Sequence, residues 1–465
     1  MAKSYDVIIV GAGPAGIFSS LELSKFGLDV LLLDKGREID ARVCPIQKGA
    51  DHCLSCSPCH LVSGFGGAGA FSDGKLTLST EVGGRLKELV GTDQARTLID
   101  YVDTIYLDFG APHKVYGTGE KVAEIERRAA LAGLRLIPVK LRHLGTNNCR
   151  QVLQAMQKYL LPKMDIKLRT AVKRIIVEDD VVKAVETSDG ESLDCHYLIL
   201  APGREGSDWL AKEAKQLKLN LNSNPVDVGC RIEVPSVIME ELTSALYESK
   251  LEFYSKSFDD RVRTFCMCPG GEVIMESTGG SDPVVTVNGI GYAEPKTKNT
   301  HFAILVSTTF TEPFHEPIAY GKYLARLANI LSGGVLVQRL GDLMDGRRST
   351  HARIQHSLIE PSLKAATPGD LSFALPYRYL KGIVEMLQAM DRLAPGVASS
   401  HTLLYGTEVK FYSSQLKLTQ CLETEICNMF AAGDGAGISR GLVQASVSGV
   451  VAAREILNRT GKSSY

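Results

Sequence analysis

The stretch from residue 5 to residue 36 constrains the fold most strongly, and it reads YDVIIVGAGPAGIFSSLELSKFGLDVLLLDKG. Two continuous apolar runs, at 7–10 and 30–33, have the pattern of strands that are buried on both faces of a parallel sheet. The segment 17–25 between them has the pattern of a helix. A strand, a helix and a second parallel strand make a βαβ unit, so this stretch predicts an α/β domain built on a parallel sheet.

Three glycines in this stretch, Gly11, Gly13 and Gly16, have the spacing G-x-G-x-x-G. The first allows a tight turn out of the strand, the second lets the backbone approach a pyrophosphate, and the third lets the helix pack against the strand. The N-terminus of the helix offers free N–H groups and a positive dipole end to the phosphates. Asp34 ends the second strand, where a carboxylate can accept hydrogen bonds from ribose hydroxyls. The stretch therefore predicts a dinucleotide site.

Composition excludes several classes of protein. The chain has 465 residues, enough for two or three domains, and a formal net charge of −1. It has no basic footprint for nucleic acid and no apolar run long enough to span a bilayer. The first strand begins within a few residues of the N-terminus, which leaves no room for a signal peptide. We therefore expect a cytoplasmic protein without a nucleic-acid partner and without stable membrane insertion.

Four of the eleven cysteines, Cys44, Cys53, Cys56 and Cys59, fall in a polar loop that follows Asp34. Three thiolates at C-x2-C-x2-C spacing can converge on one metal centre, with the remote Cys44 as the fourth ligand. The pattern fits a [4Fe–4S] cluster, redox-active thiols, or a zinc or purely structural site, and these alternatives stay open. We interpret the neighbouring His60 as a loop residue without a ligand role.

A glycine-rich run follows at 61–77, with the sequence LVSGFGGAGAFSDGKLT. Backbone without side chains suits close approach to a flat ring or a phosphate. Because the run comes directly after the predicted ribose-binding strand, we interpret it as a cofactor-binding loop and not as a flexible hinge. Its polar side chains are Ser72, Asp73 and Lys75.

The middle of the chain alternates between helical and strand patterns. The segment 85–160 predicts four helices, at 85–90, 94–108, 121–132 and 150–161, and a strand at 134–139. Thr146, Asn147 or Asn148 could cap the last of these helices. Residues 166–203 predict a strand meander that ends in a buried strand at 197–200. Val172 lies where a strand edge could meet an adenine.

Residues 225–400 have a different character and predict a mixed sheet inserted into the first domain. The expected elements are strands at 225–235 and 301–310, a hairpin around 269–271, and helices at 319–331 and 378–391. Arg231 and Glu233 alternate with apolar neighbours, so they point either into a shared cleft or to solvent. Cys266 and Cys268 are interpreted as buried thiols without a chemical role.

The last segment, 404–465, returns to the first domain in this interpretation. It reads as a strand, a glycine-rich turn that contains Asp434, and an apolar helix over 441–456. A strand followed by G-D-x-A-G and a helix predicts a second cofactor-binding turn when it is paired with the N-terminal motif.

Three separated motifs now carry a resemblance: GAGPAG with Asp34 and Lys35, YLILAPG at 197–203, and MFAAGDGAG followed by GLVQASVSG. With them the chain resembles the FAD-dependent oxidoreductase superfamily of the glutathione-reductase type. More narrowly, it resembles a functionally unassigned bacterial and archaeal group of FAD-dependent dehydrogenases with a cysteine-rich loop. The resemblance implies an α/β fold in which a Rossmann-like FAD-binding domain, a parallel sheet plus a β-meander, is interrupted by a mixed α+β substrate domain. The implied ranges are 1–224 and 404–465 for the FAD domain and 225–403 for the substrate domain.

The resemblance also implies residue roles. Gly11, Gly13 and Gly16 would hold the pyrophosphate, Asp34 the adenosine ribose, and the backbone of Val172 the adenine. Asp434 would bind the ribityl or pyrophosphate region, and residues 441–445 the flavin ring. The implied cofactor-binding set is Gly11, Gly13, Pro14, Ala15, Gly16, Asp34, Lys35, Gly67, Ser72, Val172, Ala201, Gly203, Gly433, Asp434, Gly441, Leu442 and Gln444.

The implied function is that of an FAD-dependent oxidoreductase, which transfers hydride or electrons between flavin and an unidentified organic substrate. Lys75 and Arg231 are the candidate catalytic residues, because a cation can place an anionic substrate or stabilise reduced flavin. The alternative is an electron-transfer flavoprotein that relays electrons through the cysteine centre to a protein partner. No second G-x-G-x-x-G follows a strand in mid-chain, so electrons would come from a donor protein, from the cysteine centre or from transiently bound NAD(P)H.

Overall fold

The computed structural model of the chain describes residues 3–45, 56–222, 225–277, 283–292, 294–308, 310, 316–411 and 415–462. The chain divides into two compact units. Unit 1 comprises Met1–Lys114, Arg142–Asn224 and Ser413–Tyr465, and unit 2 comprises Val115–Leu141 and Pro225–Tyr412. The assignment of cofactor binding and substrate binding to separate domains stays a prediction.

The strands in the described residues are numbered along the chain. They are β1 (Ser4–Val10), β2 (Val30–Leu33), β3 (Lys75–Leu78), β4 (Val115–Tyr116), β5 (Arg135–Leu136), β6 (Lys140–His143), β7 (Asp165–Lys167), β8 (Val172–Glu178), β9 (Val181–Thr187), β10 (Ser192–Leu200), β11 (Leu221–Asn222), β12 (Val226–Pro235), β13 (Leu251–Tyr254), β14 (Arg261–Pro269), β15 (Glu272–Ser277), β16 (Val285–Ile290), β17 (Asn299–Thr308), β18 (Leu336–Arg339), β19 (Thr367–Pro368), β20 (Leu403–Lys410), β21 (Gln415–Leu416) and β22 (Met429–Ala431).

The α-helices in the same residues are numbered in the same way. They are α1 (Pro14–Leu23), α2 (Leu86–Val90), α3 (Thr92–Asp108), α4 (Glu120–Leu131), α5 (Thr146–Leu160), α6 (Ser207–Gln216), α7 (Ser236–Leu246), α8 (Pro317–Ser332), α9 (Leu340–Met344), α10 (His351–Gln355), α11 (Tyr377–Asp391) and α12 (Leu442–Arg459). Within the described part of the chain, no helix combines the length and the apolar character that crossing a membrane requires.

Unit 1 is organised around one seven-stranded sheet with the strand order β7-β2-β1-β10-β9-β8, in which β22 also pairs with β10. The pairs among β7, β2, β1, β10 and β22 are parallel, whereas β10–β9 and β9–β8 are antiparallel. Strand β10 joins the two parts, because residues 192–194 pair with β9 and residues 198–200 pair with β22. This arrangement confirms the predicted parallel sheet plus β-meander.

Helices α1 and α12 pack against each other at backbone distance in unit 1. A Cβ at Gly449 would lie 2.1 Å from the carbonyl oxygen of Ala15, so only glycine fits at this crossing. The Ser19 hydroxyl donates to the Gly449 carbonyl at 2.9 Å. The apolar residues of β1, β2 and β10 form the core beside these helices. The first and the last α-helix of the described residues therefore pack in the same unit.

Unit 2 contains an eight-stranded sheet with the order β19-β18-β20-β12-β17-β14-β13-β5. Its neighbours run antiparallel, except for the parallel pair β18–β19. Apolar side chains that alternate along β12 pack into a core with residues from α7, α8 and α11. The intervening positions of β12 carry Asp227, Arg231 and Glu233, and these three side chains are fully buried.

Three local predictions are wrong. Strands β14 and β15 flank the predicted turn but do not form a hairpin, because β14 pairs with β13 and β17 whereas β15 pairs with β16. Helix α5 is capped by Gly145, which offers no side-chain bond, and Asn148 instead donates from its side chain to the Leu144 carbonyl. The strand predicted at 134–139 spans only the two residues of β5, and the next strand, β6, begins after this range at Lys140.

Candidate functional site

The turn after β1 packs against the end of β10. Gly11 has φ +107°, and a Cβ there would lie 2.1 Å from the Ala201 carbonyl oxygen. The Ala201 amide donates to the Val10 carbonyl at 2.7 Å. A Cβ at Gly16 would lie 1.8 Å from the Gly11 carbonyl oxygen. Gly11 and Gly16 are therefore needed for packing within the protein itself.

Gly13 differs from the other two glycines of the motif. It is the N-cap of α1 in extended conformation, and it makes no side-chain capping bond. The nearest atom to its Cβ position, the Cα of Gly67, is 3.9 Å away, so the space beside Gly13 is open. The first turn of α1 contains no acidic residue. Among the described residues, no side chain caps the amide groups at this helix end, as in helix N-termini that bind phosphate.

The glycine-rich loop contacts the first turns of both α1 and α12. Gly67 has φ +56°, and a Cβ there would lie 2.9 Å from the Gly13 Cα. A Cβ at Gly69 would lie 2.7 Å from Cδ2 of Leu442, the first residue of α12. Ser72 ends the loop, and its hydroxyl donates to the Gly69 carbonyl at 2.9 Å. The loop thereby brings the two helix N-termini together at one place.

The N-terminus of α12 resembles that of α1. Its N-cap, Gly441, is extended and makes no side-chain capping bond, and its Cβ position is 4.0 Å from the Gly83 Cα. Gln444 in the first turn donates from Nε2 to the Val82 carbonyl at 2.6 Å and to the Ser79 carbonyl at 3.3 Å. Its Oε1 is buried without a hydrogen-bond partner among the described residues. Gln444 therefore holds the 79–83 segment beside this helix end.

Asp434 lies in the glycine-rich turn between β22 and α12. The Ser439 hydroxyl donates to Asp434 Oδ1 at 2.5 Å, and Arg204 Nε lies 3.5 Å from Oδ2. Burial raises the pKa of the Asp434 carboxyl above its ordinary value. A Cβ at Gly435 would lie 2.6 Å from the Gly203 carbonyl oxygen, so this turn packs on the turn after β10.

Asp34 accepts hydrogen bonds from three backbone amides. Its Oδ1 accepts from Gly36 at 2.7 Å and Gly64 at 2.8 Å, and its Oδ2 accepts from Ala12 at 2.8 Å. The carboxylate therefore joins the glycine turn, the end of β2 and the glycine-rich loop. The sequence predicted its position at the tip of the strand but not these three bonds.

A pocket of about 340 Å³ opens at the end of β2 in unit 1. Val172, the predicted adenine contact, begins β8 directly after a residue of the pocket wall. The wall consists of Lys35, Ser57, Pro58, Arg169, Thr170, Ala171, Ser188, Asp189 and Glu205. Sequence reasoning singled out only Lys35 among these residues, because the other positions come from loops without a motif.

Arg42 is a second residue that sequence reasoning missed. Its guanidinium is buried and donates to the carbonyls of His60, Leu61, Phe65 and Gly67 at 2.7–2.9 Å. Burial lowers its pKa to about 10, while its electrostatic interactions with Asp34 and Cys59 act in the opposite direction. No ion pair of Arg42 closer than 4.0 Å is found within the described ranges. Arg42 thus ties the cysteine loop to the glycine-rich loop.

Lys75 belongs to a cluster of titratable side chains. Its Nζ lies 2.9 Å from Asp73 Oδ2, and both side chains are largely buried. Burial, together with the charge of Lys75, lowers the pKa of His143 to about 4, so this imidazole is neutral at pH 7. A Cβ at Gly74 would lie 2.3 Å from Cys149 Sγ, which shows how tightly the segment packs. His143 carries no sequence signal that would have singled it out.

Arg231 lies in unit 2 and is fully buried. Its Nε and one terminal nitrogen donate to Glu408 at 2.8 and 2.7 Å. The remaining donors reach the Cys266 carbonyl at 3.2 Å, His301 Nδ1 at 3.0 Å and Asn288 Oδ1 at 3.3 Å. A guanidinium has five N–H donors, and these five contacts engage all of them within unit 2.

Three of the four clustered cysteines lie within the described residues, and Cys53 lies outside them. Cys44, Cys56 and Cys59 are free thiols of intermediate exposure. Among the described residues, no group of three or more His, Cys, Asp or Glu side chains is arranged to hold a metal ion. The metal-binding role of the cluster therefore stays a prediction.

Three family models match the chain. Residues 4–42 match an FAD binding domain, residues 138–239 match pyridine nucleotide-disulphide oxidoreductase, and residues 225–411 match the C-terminal domain of FAD-dependent protein. The first match covers β1, the glycine turn, α1 and β2. Each model matches less than half of the chain, and all three describe domains of FAD-binding proteins or of pyridine nucleotide-disulphide oxidoreductases. The matches therefore indicate an FAD-dependent oxidoreductase.

Relatives of the chain include an uncharacterized protein of Clostridium beijerinckii, 25% identical over 97% of this chain and 80% of the relative. A digeranylgeranylglycerophospholipid reductase of Methanococcus vannielii is 51% identical over 43 residues, which are 9% of this chain and 11% of that protein. Among solved structures, an L-proline dehydrogenase from P. horikoshii aligns with a TM-score of 0.45 and 12% identity, covering all of this chain and 96% of the other.

The geometry of unit 1 fits FAD. An open space lies beside Gly13, at the N-terminus of α1. Two helix N-termini without side-chain caps meet at the glycine-rich loop. Such ends stabilise negative charge on phosphates or on an electron-rich ring. The family-model matches support FAD, the predicted cofactor, whereas the [4Fe–4S] cluster stays a prediction.

Proposed function

We propose that unit 1 binds FAD in an extended form and that the chain transfers hydride or electrons between the flavin and an organic substrate. One observation carries this proposal: the uncapped N-termini of α1 and α12 are joined by the glycine-rich loop. A dinucleotide that spans the two helix ends would place its pyrophosphate at α1 and its electron-rich ring at α12. Both groups are stabilised by the positive end of a helix dipole.

The adenosine half is assigned to the end of β2. Asp34 already accepts two amides at Oδ1 and one at Oδ2. Since each carboxylate oxygen accepts about two hydrogen bonds, Oδ2 has room for one ribose hydroxyl. The adenine would enter the 340 Å³ pocket, beside Lys35 and the backbone that leads to Val172. The pyrophosphate would lie over Gly11, Gly13 and Gly16, with Pro14 and Ala15 in the first helical turn.

The flavin half is assigned to the N-terminus of α12. Asp434 would bind the ribityl chain or the pyrophosphate, and its turn packs on the turn that contains Ala201 and Gly203. The amides after Gly441 would face the ring. The other members of this part of the site are Gly67, Ser72, Gly433, Leu442 and Gln444.

When bound, the flavin supplies the hydride or electron chemistry, and the protein orients the substrate and tunes the potential. Lys75 is our candidate for placing an anionic group, because Asp73 holds its ammonium in a fixed, largely buried position. His143 stays neutral beside it and can donate or accept a hydrogen bond. We assign no substrate contact to Arg231, since its donors are engaged within unit 2.

The first test is the visible spectrum of the purified protein, followed by anaerobic reduction of its flavin with a panel of hydroxy acids, amino acids and reduced nicotinamides. We expect flavin bands that bleach with one class of reductant. Lys75→Met should raise the substrate KM more than Lys75→Arg, whose charge is kept. If apoprotein reconstituted with FAD shows no bound flavin, the proposal fails.

The electron donor can be tested in the same experiment. The match of residues 138–239 to pyridine nucleotide-disulphide oxidoreductase supports NAD(P)H as the first donor to try. The alternative function, an electron relay through a cysteine-ligated centre, is favoured only by the three partly exposed thiols. It predicts about four irons per chain after anaerobic purification. A protein without iron would leave the organic substrate as the partner of the flavin.

A further inference from the structure

The wall of the pocket at the end of β2 includes two residues of the cysteine loop. Ser57 and Pro58 line this pocket, together with Lys35 and residues 169–171. The residues on either side of them are Cys56 and Cys59, so the local sequence is C-S-P-C. Both thiols are free and partly exposed. Any change that joins the two thiols would therefore enclose the two wall residues in a small ring.

The same segment is anchored immediately after Cys59. Arg42 donates to the carbonyls of His60 and Leu61, and from the same guanidinium it donates to the Gly67 carbonyl at 2.8 Å. The His60 ring nitrogen Nδ1 lies 2.8 Å from the Val43 carbonyl oxygen, to which it donates. A movement at Cys59 is thus coupled both to the pocket wall and to the glycine-rich loop.

We propose that Cys56 and Cys59 form a reversible dithiol–disulfide switch that sets the affinity of the pocket for the adenosine half of the cofactor. The inference rests on the proposed function, because it assigns this pocket to FAD. The C-x2-C spacing is that of thiol pairs that undergo disulfide exchange. Cys44 and the metal alternative are not needed for it.

The exchange balances with a low-molecular-weight disulfide as the oxidant. One cysteine thiolate attacks a sulfur of that disulfide and releases one small thiol, which leaves a mixed disulfide on the protein. The second cysteine then attacks the mixed disulfide and releases the other small thiol. The protein loses two electrons and two protons in forming its S–S bond, and the small disulfide gains them as two thiols.

The disulfide form should bind FAD more tightly. In the dithiol form, Ser57 and Pro58 lose conformational freedom when the adenosine half binds against them. A four-residue ring would remove that freedom beforehand, and preorganisation of a binding surface increases affinity by removing this entropic cost. We expect a Kd about fivefold to tenfold lower for the disulfide form.

The experiment uses full-length apoprotein equilibrated in glutathione buffers of defined ratio. Mass spectrometry after alkylation identifies the Cys56–Cys59 disulfide, and quenching of flavin fluorescence gives the Kd for FAD at each ratio. The Kd should follow the fraction of disulfide. Cys56→Ser and Cys59→Ser should both give the dithiol value at every ratio. Cys427→Ser, which changes an exposed cysteine of unit 1 away from the pocket wall, should behave like the wild type.

Each other outcome is decisive. Equal Kd values with the disulfide demonstrated by mass spectrometry would overturn the inference and leave FAD binding intact. Failure of the disulfide to form at any ratio would do the same. Absence of FAD binding in both states would remove the proposed function itself. Circular dichroism of the serine variants separates a lost switch from a lost fold.

Discussion

The substitution Gly13→Ala distinguishes a requirement for glycine in folding from a requirement for glycine in cofactor binding. The N-cap of α1 is extended, with φ −79° and ψ −174°, a conformation that alanine adopts without strain. An added methyl would meet no atom closer than the Gly67 Cα at 3.9 Å, which is an ordinary van der Waals distance. The apoprotein should therefore accept this substitution.

The expected change in the free energy of unfolding is small. Alanine is a poorer N-cap than glycine by up to about 1 kcal/mol. Replacing glycine also restricts the unfolded chain, which stabilises the protein by about 0.4–1 kcal/mol. The two effects have opposite signs, so the net change should stay within about 1 kcal/mol. Denaturant unfolding of the two apoproteins measures it.

The expected change in FAD affinity is large. The methyl would occupy the space through which the pyrophosphate approaches the amides at the start of α1. Loss of one or two hydrogen bonds to a charged group costs about 1.5–3 kcal/mol each. A total of about 3 kcal/mol corresponds to a Kd about 150-fold higher. Titration of apoprotein with FAD, followed by flavin fluorescence, provides the measurement.

Gly16→Ala is the matched comparison, because it lies in the same motif but its Cβ would be 1.8 Å from the Gly11 carbonyl oxygen. It should destabilise the apoprotein by several kcal/mol. Wild-type affinity in a folded Gly13→Ala variant would refute the placement of the pyrophosphate. An unfolded Gly13→Ala variant would refute the packing argument.

The other predictions concern the remaining parts of the site. Gly441→Ala should stay folded, since its Cβ position is 4.0 Å from the nearest atom, and should bind FAD more weakly in the same titration. Asp34→Ala should lower the free energy of unfolding of the apoprotein by about 3 kcal/mol, because three amides lose their acceptor; unchanged denaturant unfolding would contradict this role. Burial raises the folded-state pKa of Asp434, so ionisation of this carboxyl lowers the stability of the folded protein above that pKa. The Asp434→Asn apoprotein should therefore have a higher Tm than the wild type at pH 7, and the difference should disappear below about pH 3.8. The folded-state pKa of His143 is lowered to about 4, so its contribution to stability is lost as the pH falls from 6.5 to 4. The Tm of the His143→Asn variant should therefore depend less on pH between 6.5 and 4 than the Tm of the wild type.

The elements that the sequence predicts correctly are those whose pattern is local. Strand β2 occupies the four residues of its apolar run, because a strand buried on both faces needs apolar residues at every position. Helices α8 and α11 begin and end within two residues of their predicted limits. The pairing of β14 could not be predicted in the same way. Its partner β17 is distant in sequence, and the turn that follows β14 does not determine its hydrogen-bond partners.

Arg42 shows why part of the site escapes sequence reasoning. It lies in a polar loop without periodicity, and its side chain would ordinarily be expected in solvent. Its burial depends on four carbonyls that come together only when residues 60–67 fold over it. Asp34 is a partial case, because its place at the end of a strand is predictable whereas its three amide partners are not. A motif thus indicates what a residue can bind, while the folded loops determine how much of its hydrogen-bonding capacity is already used.

The glycines carry this distinction furthest. The sequence motif assigns a different reason to each of its glycines: a tight turn at Gly11, close approach of a pyrophosphate at Gly13, and helix packing at Gly16. In the structure, Gly11 and Gly16 each face a carbonyl oxygen at a distance that excludes a Cβ, so the protein needs them even without a cofactor. Gly13 and Gly441 face open space at the start of the two helices, so the protein alone does not need them. The absence of a side chain at these two helix ends is explained by a ligand that approaches the backbone there, which is the physical argument for a dinucleotide spanning α1 and α12.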